Sequence, residues 1–174
     1  MALRQILTEP NEILREKSLL VEKVDEDLQK LINDMLETMY AAPGIGLAAI
    51  QIGIPKRVIV LDIAQKDGQK NPLFFVNPEI IDKSENNLTY EEGCLSVPGQ
   101  FAEIDRPGKC HIKYLDYYGQ PKEIKAEGML ATCIQHEMDH LEGILFIDYL
   151  SKLKKTMIIK KLSKQKKAIE RIVV

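Results

Sequence analysis

Gln135-His136-Glu137-Met138-Asp139-His140-Leu141 is the stretch on which the reading of the chain turns. Its apolar neighbours suit a helix, and residues four apart on a helix share a face, so the imidazoles of His136 and His140 can reach one point in space. That is half of a metal site. Glu137 stands where the H-E-x-x-H pattern places the carboxylate that activates a metal-bound water. On its own the stretch also fits a plain helix that happens to carry two histidines.

A catalytic site of the zinc type has three protein ligands and one position left open for water, so a third ligand is needed. Cys133 lies on the same helical run, but it is seven residues from His140, roughly 10 Å along a helix axis at about 1.5 Å per residue. Ligands of one tetrahedral ion are only about 3–4 Å apart, so one helix does not readily supply all three. Downstream, the longer pattern H-E-x-x-H-x-x-G-x-x-H is matched as far as Gly143, but Phe146 stands at its last histidine. Glu142, Asp148 and Glu170 make no convincing distant carboxylate ligand, and His111 and Cys110, within a strand-like run, read as structural. Cys94 remains, in Glu91-Glu92-Gly93-Cys94-Leu95-Ser96-Val97-Pro98, where a bend between glycine and proline can present a thiolate on irregular backbone. A buried structural cysteine is the competing reading.

The 174 residues suffice for one domain with a substantial core, and a single unit over residues 1–174 is expected. Apolar residues make up 45% and charged residues 29%, ordinary for a globular chain, and no apolar run reaches the roughly 18 residues of a membrane span. The start carries no basic and apolar leader pattern, so a cytoplasmic location is expected. Three cysteines cannot all pair, and in a reducing compartment they are available as free thiols. The net charge of -2 is unevenly spread: residues 151–174 hold nine basic residues and one acidic, +8, which leaves -10 on residues 1–150. That asymmetry points to an anionic partner for the tail.

Leu28, Leu31, Ile32, Met35, Leu36, Met39 and Tyr40 recur at helical spacing and predict an amphipathic helix from about Asp25 to Pro43-Gly44. Gly44 to Gln51 follows with small residues, a loop or strand edge that passes close to something; Ala49 replaces the third glycine of a dinucleotide fingerprint. Five short runs, at 57–63, 73–76, 80–82, 110–118 and 122–126, predict antiparallel strands, with turns at Asp67-Gly68 and Gly119-Gln120-Pro121. A helix from about Gly128 to Leu141 carries the histidines. Leu150, Leu153, Met157, Ile158, Leu162, Ala168, Ile169 and Ile172 form an apolar stripe through the basic tail, which predicts a last helix.

Three stretches taken together, Gly44-x-Gly46-Leu47-Ala48-Ala49-x-Gln51, Glu92-Gly93-Cys94-Leu95-Ser96 and Gln135-His136-Glu137-x-Asp139-His140-Leu141, resemble the three ordered motifs of the peptide deformylases. The likeness reaches Pro10 to Arg15 and Arg106-Pro107, and the basic tail resembles the bacterial form. The fold so implied is α+β, with antiparallel sheets around a central metal-binding helix and a helix towards each end. The implied reaction removes the N-formyl group from the initiator methionine of newly made polypeptides and releases formate, by attack of a metal-activated water.

Position by position, the resemblance implies Cys94, His136 and His140 as metal ligands, Glu137 as general base and acid, and two donors to the formyl oxygen: the Gln51 amide and the Leu95 backbone N–H. It implies Ile45, Tyr90, Leu95, Met129, Thr132 and Cys133 around the methionine, and Glu92, Arg106 and Asp139 as a charge network orienting the ligands; the small Gly46 and Ala48 suit a tight pocket for the formyl group. Phe101 departs from the arginine of some bacterial members, which puts a substrate-backbone contact there in question. Fe²⁺ is the ion the family commonly uses; Zn²⁺, Ni²⁺ and Co²⁺ suit the same ligands. Expected partners are N-formyl-methionyl nascent chains and, through the basic helix, the ribosome, with neither membrane nor DNA. A general zinc endopeptidase and a structural metal with an RNA-binding tail are the rival readings.

Overall fold

A computed structural model describes residues 2–172, and side chains 66, 67 and 172 lie outside what it describes, including Ile172 of the expected tail stripe. Helix α1 runs Glu26–Ala41, capped by the Asp25 carboxylate, which accepts from the Leu28 backbone N–H at 2.9 Å. Strands β1 (Gly46–Ala48), β2 (Val58–Leu61), β3 (Leu73–Lys83), β6 (Lys109–Leu115) and β7 (Pro121–Glu127) form one antiparallel sheet in the order β1-β2-β3-β6-β7. Strands β4 (Asn87–Cys94) and β5 (Val97–Pro107) pair separately as a long hairpin. Helix α2 is Gly128–Leu141, and α3 is Lys152–Ile172.

Strand β2 shows why the histidine helix sits where it does. Alternate residues of a strand face opposite sides. Val58 and Val60 pack with Leu28, Ile32, Met35 and Met39 of α1, while Ile59 and Leu61 pack with Ile134, Met138 and Leu141 of α2. Both faces are buried, so β2 reads as continuous Val-Ile-Val-Leu. The sheet is held between α1 and α2, and the second face of α2 is left for the β4–β5 hairpin. A third cluster joins Val97 and Ile104 of that hairpin to Leu145, Phe146 and Ile147 and to Leu162 of α3.

The α+β architecture, the three helices and the antiparallel pairing agree with expectation. Three expectations are corrected. The runs at 73–76 and 80–82 are one strand, β3, broken only by register shifts against β6. Cys94 lies in no loop but ends β4, where a register shift at Gly93/Cys94 makes the backbone irregular, and Leu95-Ser96 makes the tip of the hairpin. The tail stripe is not a single buried face: Leu162 is buried and Ile158 and Ile159 half-buried, whereas Leu153, Met157 and Ile169 are exposed. Positions 153 and 157 point away from the face that carries 158 and 162, whereas 169, seven residues beyond 162, shares that face but is exposed. No helix among the described residues is long and apolar enough to cross a membrane.

Candidate metal centre

Helix α2 buries His136, Glu137 and His140 together, because its outer face meets the hairpin instead of water. The two imidazole centroids are 5.1 Å apart. Cys94 arrives from the end of β4, where a register shift between Gly93 and Cys94 turns the strand, and its Sγ lies 3.4 Å from His140 Nε2. One donor atom each from Cys94, His136 and His140 lies within 4.8 Å of the others, and this is the one such cluster of three among the described residues. His111 instead meets Glu123 at 2.8 Å; Cys110 is buried in the sheet core, where burial pushes its thiol up to about 11. Glu142 pairs with Arg57, and Asp148 with Arg15.

The donor set fits a divalent ion. His136 Nδ1 sits 2.8 Å from a Glu92 carboxylate oxygen, which accepts its N–H and leaves the Nε2 lone pair for a metal. Burial disfavours a proton on either imidazole, but the Cys94 and Glu92 contacts outweigh it at His136 and raise its pKa. His140 is held well below the ordinary histidine value by burial and by its charged neighbour, in the neutral form a ligand requires. Glu137 Oε2 is buried with no hydrogen-bond partner among the described residues, and burial raises the carboxyl to about 7. A carboxylate poised there can take up and return a proton near neutral pH.

Around this cluster lies a cavity of about 540 Å³. Ile45, Gly46, Tyr90, Met129, Thr132 and Cys133 all line it, as do Gln51, Leu95 and Glu137. Gln51, in the 3-10 turn Ala49–Ile52, is held at both ends of its amide. Its Oε1 accepts from the Ala48 N–H at 2.9 Å, while Nε2 reaches Ser96 Oγ at 3.0 Å and Cys94 Sγ at 3.5 Å. The donor end therefore faces the cluster. Phe101 also lines the cavity, and its ring lies over Gly93, where a Cβ would be 2.5 Å from Cε1.

Behind the Cys94, His136 and His140 cluster, Arg106 donates from Nε and Nη2 to both Glu92 oxygens at 2.7 and 3.0 Å, and from Nη1 to Asp139 at 2.8 Å. Burial penalises both charges of the Glu92–Arg106 pair, but their contacts prevail: Glu92 falls below the usual carboxylate range and Arg106 rises. Ser96, Phe146 and Tyr149 were not anticipated as part of this assembly. The Phe146 ring stacks on His136 at 6.2 Å, in the place where a longer metalloprotease pattern would put its last histidine. Spacing could exclude Phe146 as a ligand but could not reveal that contact.

The model of the family described as polypeptide deformylase matches residues 3–156. The chain belongs to that family. A peptide deformylase of Pelagibacter ubique is 64% identical over 166 residues, covering 95% of this chain and 96% of the relative. A peptide deformylase structure from Legionella pneumophila superposes with a TM-score of 0.90 at 49% identity, covering 98% of this chain and 99% of that one. The structure from Ehrlichia chaffeensis in complex with actinonin has a TM-score of 0.91 at 44% identity, covering 95% and 98%. This deformylase family is one of metalloenzymes, and the Cys94, His136 and His140 cluster could hold its ion.

Proposed function

We propose that the chain, acting over residues 1–174 as one catalytic unit, hydrolyses the N-formyl group of nascent polypeptides with Cys94, His136 and His140 as metal ligands and Glu137 as the proton carrier. The observation that carries this is the Glu137 carboxylate, whose Oε2 has no hydrogen-bond partner among the described residues, beside a one-sulfur, two-imidazole cluster of which Cys94 and His136 line the cavity. A divalent ion held there supplies Lewis acidity, which lowers the pKa of water and polarises a carbonyl.

The protein's own groups do the rest. Glu137 takes a proton from the attacking water and later delivers it to the departing amine nitrogen, so that formate and a free α-amine are the products. As charge grows on the formyl oxygen, the Gln51 amide and the Leu95 backbone N–H donate to it. The Ser96 and Ala48 contacts keep that amide from turning its oxygen inward. Gly46 leaves room beside Glu137, while Ile45, Met129 and Cys133 offer apolar walls for the methionine side chain. Three clustered ligands and one accessible cavity favour this over a structural metal, which four protein ligands would close.

Fe²⁺ is the ion proposed, as the one the family commonly uses; two imidazoles and a thiolate also suit Zn²⁺, Ni²⁺ or Co²⁺, so the ligand set does not choose among them. The proposed setting is the cytoplasm, with α3 resting on ribosomal phosphate. The test of the reaction is formate release from a formyl-methionyl peptide, measured beside metal content after anaerobic purification. Glu137→Ala is expected to keep its metal and lose turnover; undiminished turnover would overturn the role of Glu137.

A further inference from the structure

We infer that Tyr149 is a positioning residue for the metal ligand His136, acting through Asp139, Arg106 and Glu92. The inference rests on the reading of His136 as a ligand. Tyr149 ends the 3-10 turn Phe146–Tyr149 and is about half exposed, so it is not there to fill the core. Its hydroxyl donates to Asp139 Oδ2 at 2.7 Å, and the Arg106 guanidinium carbon lies 5.0 Å from the centre of its ring. One side chain thus touches both partners of the Arg106–Asp139 ion pair, the carboxylate through its hydroxyl and the cation through its face.

That pair fixes the rotation of Arg106 about its long axis. Arg106 donates to both Glu92 oxygens, and Glu92 Oε1 is the atom that meets His136 Nδ1. A guanidinium is planar with donors in a rigid fork, so a tilt at Nη1 is carried to Nε and Nη2, and from there to Glu92. The imidazole ring would follow. The same turn also grips His136 directly, since Phe146 at its start stacks on the ring. His136 is therefore oriented from two sides by one turn of four residues, which lies just before α3. Metal ligands depend on such outer contacts for ring orientation, and removing an immediate one typically costs about 10- to 100-fold in metal affinity or activity.

Tyr149→Phe keeps the ring over Arg106 and removes only the hydroxyl. The test is the rate at which the full-length Zn²⁺-loaded protein yields its ion to a chromophoric chelator, together with the visible spectrum of the Co²⁺-loaded form. Release is expected to quicken about three- to tenfold, less than for an immediate partner because the effect passes through further links, and the Co²⁺ bands are expected to shift. Asp139→Asn breaks the same link from the other side, and the double variant should release its ion no faster than the quicker single one. Release and spectrum unchanged in Tyr149→Phe, or effects that multiply in the double variant, would overturn the inference. A wild-type protein that binds no ion would instead overturn the reading of the site itself.

Discussion

The Glu137 carboxylate occupies the space that a side chain on Gly46 would fill: a Cβ there would lie 2.5 Å from Oε1 and 2.9 Å from both Cδ and Leu61 Cδ2. Strand β1 can pass this close to α2 only because position 46 has no side chain. Gly46→Ala must displace the carboxylate or a fully buried leucine, so it is expected to cut kcat about 10²-fold or more while the ion stays bound. Overpacking should also cost about 1–3 kcal/mol of stability. Steady-state formate release with metal analysis of the same sample checks both; kcat within twofold of the parent would refute the placement.

Gln51 is aimed by its contacts with Ala48, Ser96 and Cys94, so two variants separate donation from aim. Gln51→Ala removes the donor and is expected to raise the barrier by about 3–4 kcal/mol, mostly in kcat. Ser96→Ala leaves the Ala48 and Cys94 contacts in place and takes away the shorter of the two Nε2 contacts, so a milder loss, of roughly tenfold or less, is expected from one neutral hydrogen bond. Equal losses in the two variants would contradict this division.

Asp148 ties the turn before α3 to the rest of the molecule: Arg15 approaches it at 2.6 Å, Lys155 at 2.7 Å, and the Leu145 N–H donates to it at 3.1 Å. Burial raises its carboxyl, but Lys155 and Arg15 outweigh burial and hold it below the usual range. A lowered folded pKa means stabilisation that is complete above the unfolded value of about 3.9 and is lost as pH falls through the folded pKa. Asp148→Asn is therefore expected to lose about 1–2 kcal/mol at pH 7, with the gap closing towards pH 3. Urea unfolding at the two pH values reads this directly; a gap that widens in acid would show the sign to be wrong.

The histidine pair was legible because its geometry is local: four residues on one helix need no knowledge of the fold. The helix α1 was legible for the same reason, through the spacing of its apolar residues. What brings Cys94 within 3.4 Å of His140 spans 46 residues, and in the β4–β5 hairpin that delivers it the one buried position of β4 is the charged Glu92, so no apolar alternation announced it. The family resemblance supplied Cys94 where the pattern of residues left it open. Tyr149 had no such help, because its contacts with Asp139 and Arg106 exist only once three separate segments have packed.

The basic helix is anchored by Leu162, and Lys155 is engaged by Asp148, whereas Lys160, Lys161 and Lys164 are exposed. Replacing those three by glutamine, in place of a truncation that would expose Leu162, should weaken ribosome binding. It should also flatten the slope of log affinity against log salt by about 2–3, near one for each phosphate that a lysine no longer neutralises. An unchanged slope in co-sedimentation at graded salt would remove α3 as the docking element.

The most direct measurement is an anomalous-difference map from crystals of the anaerobically prepared protein, collected at the absorption edge of the ion found by elemental analysis. One peak is expected, within roughly 2.0–2.3 Å of Cys94 Sγ and of His136 and His140 Nε2, with a coordination position open towards Glu137. A peak elsewhere, or an ion closed off by a fourth protein ligand, would contradict the chemistry assigned to these residues.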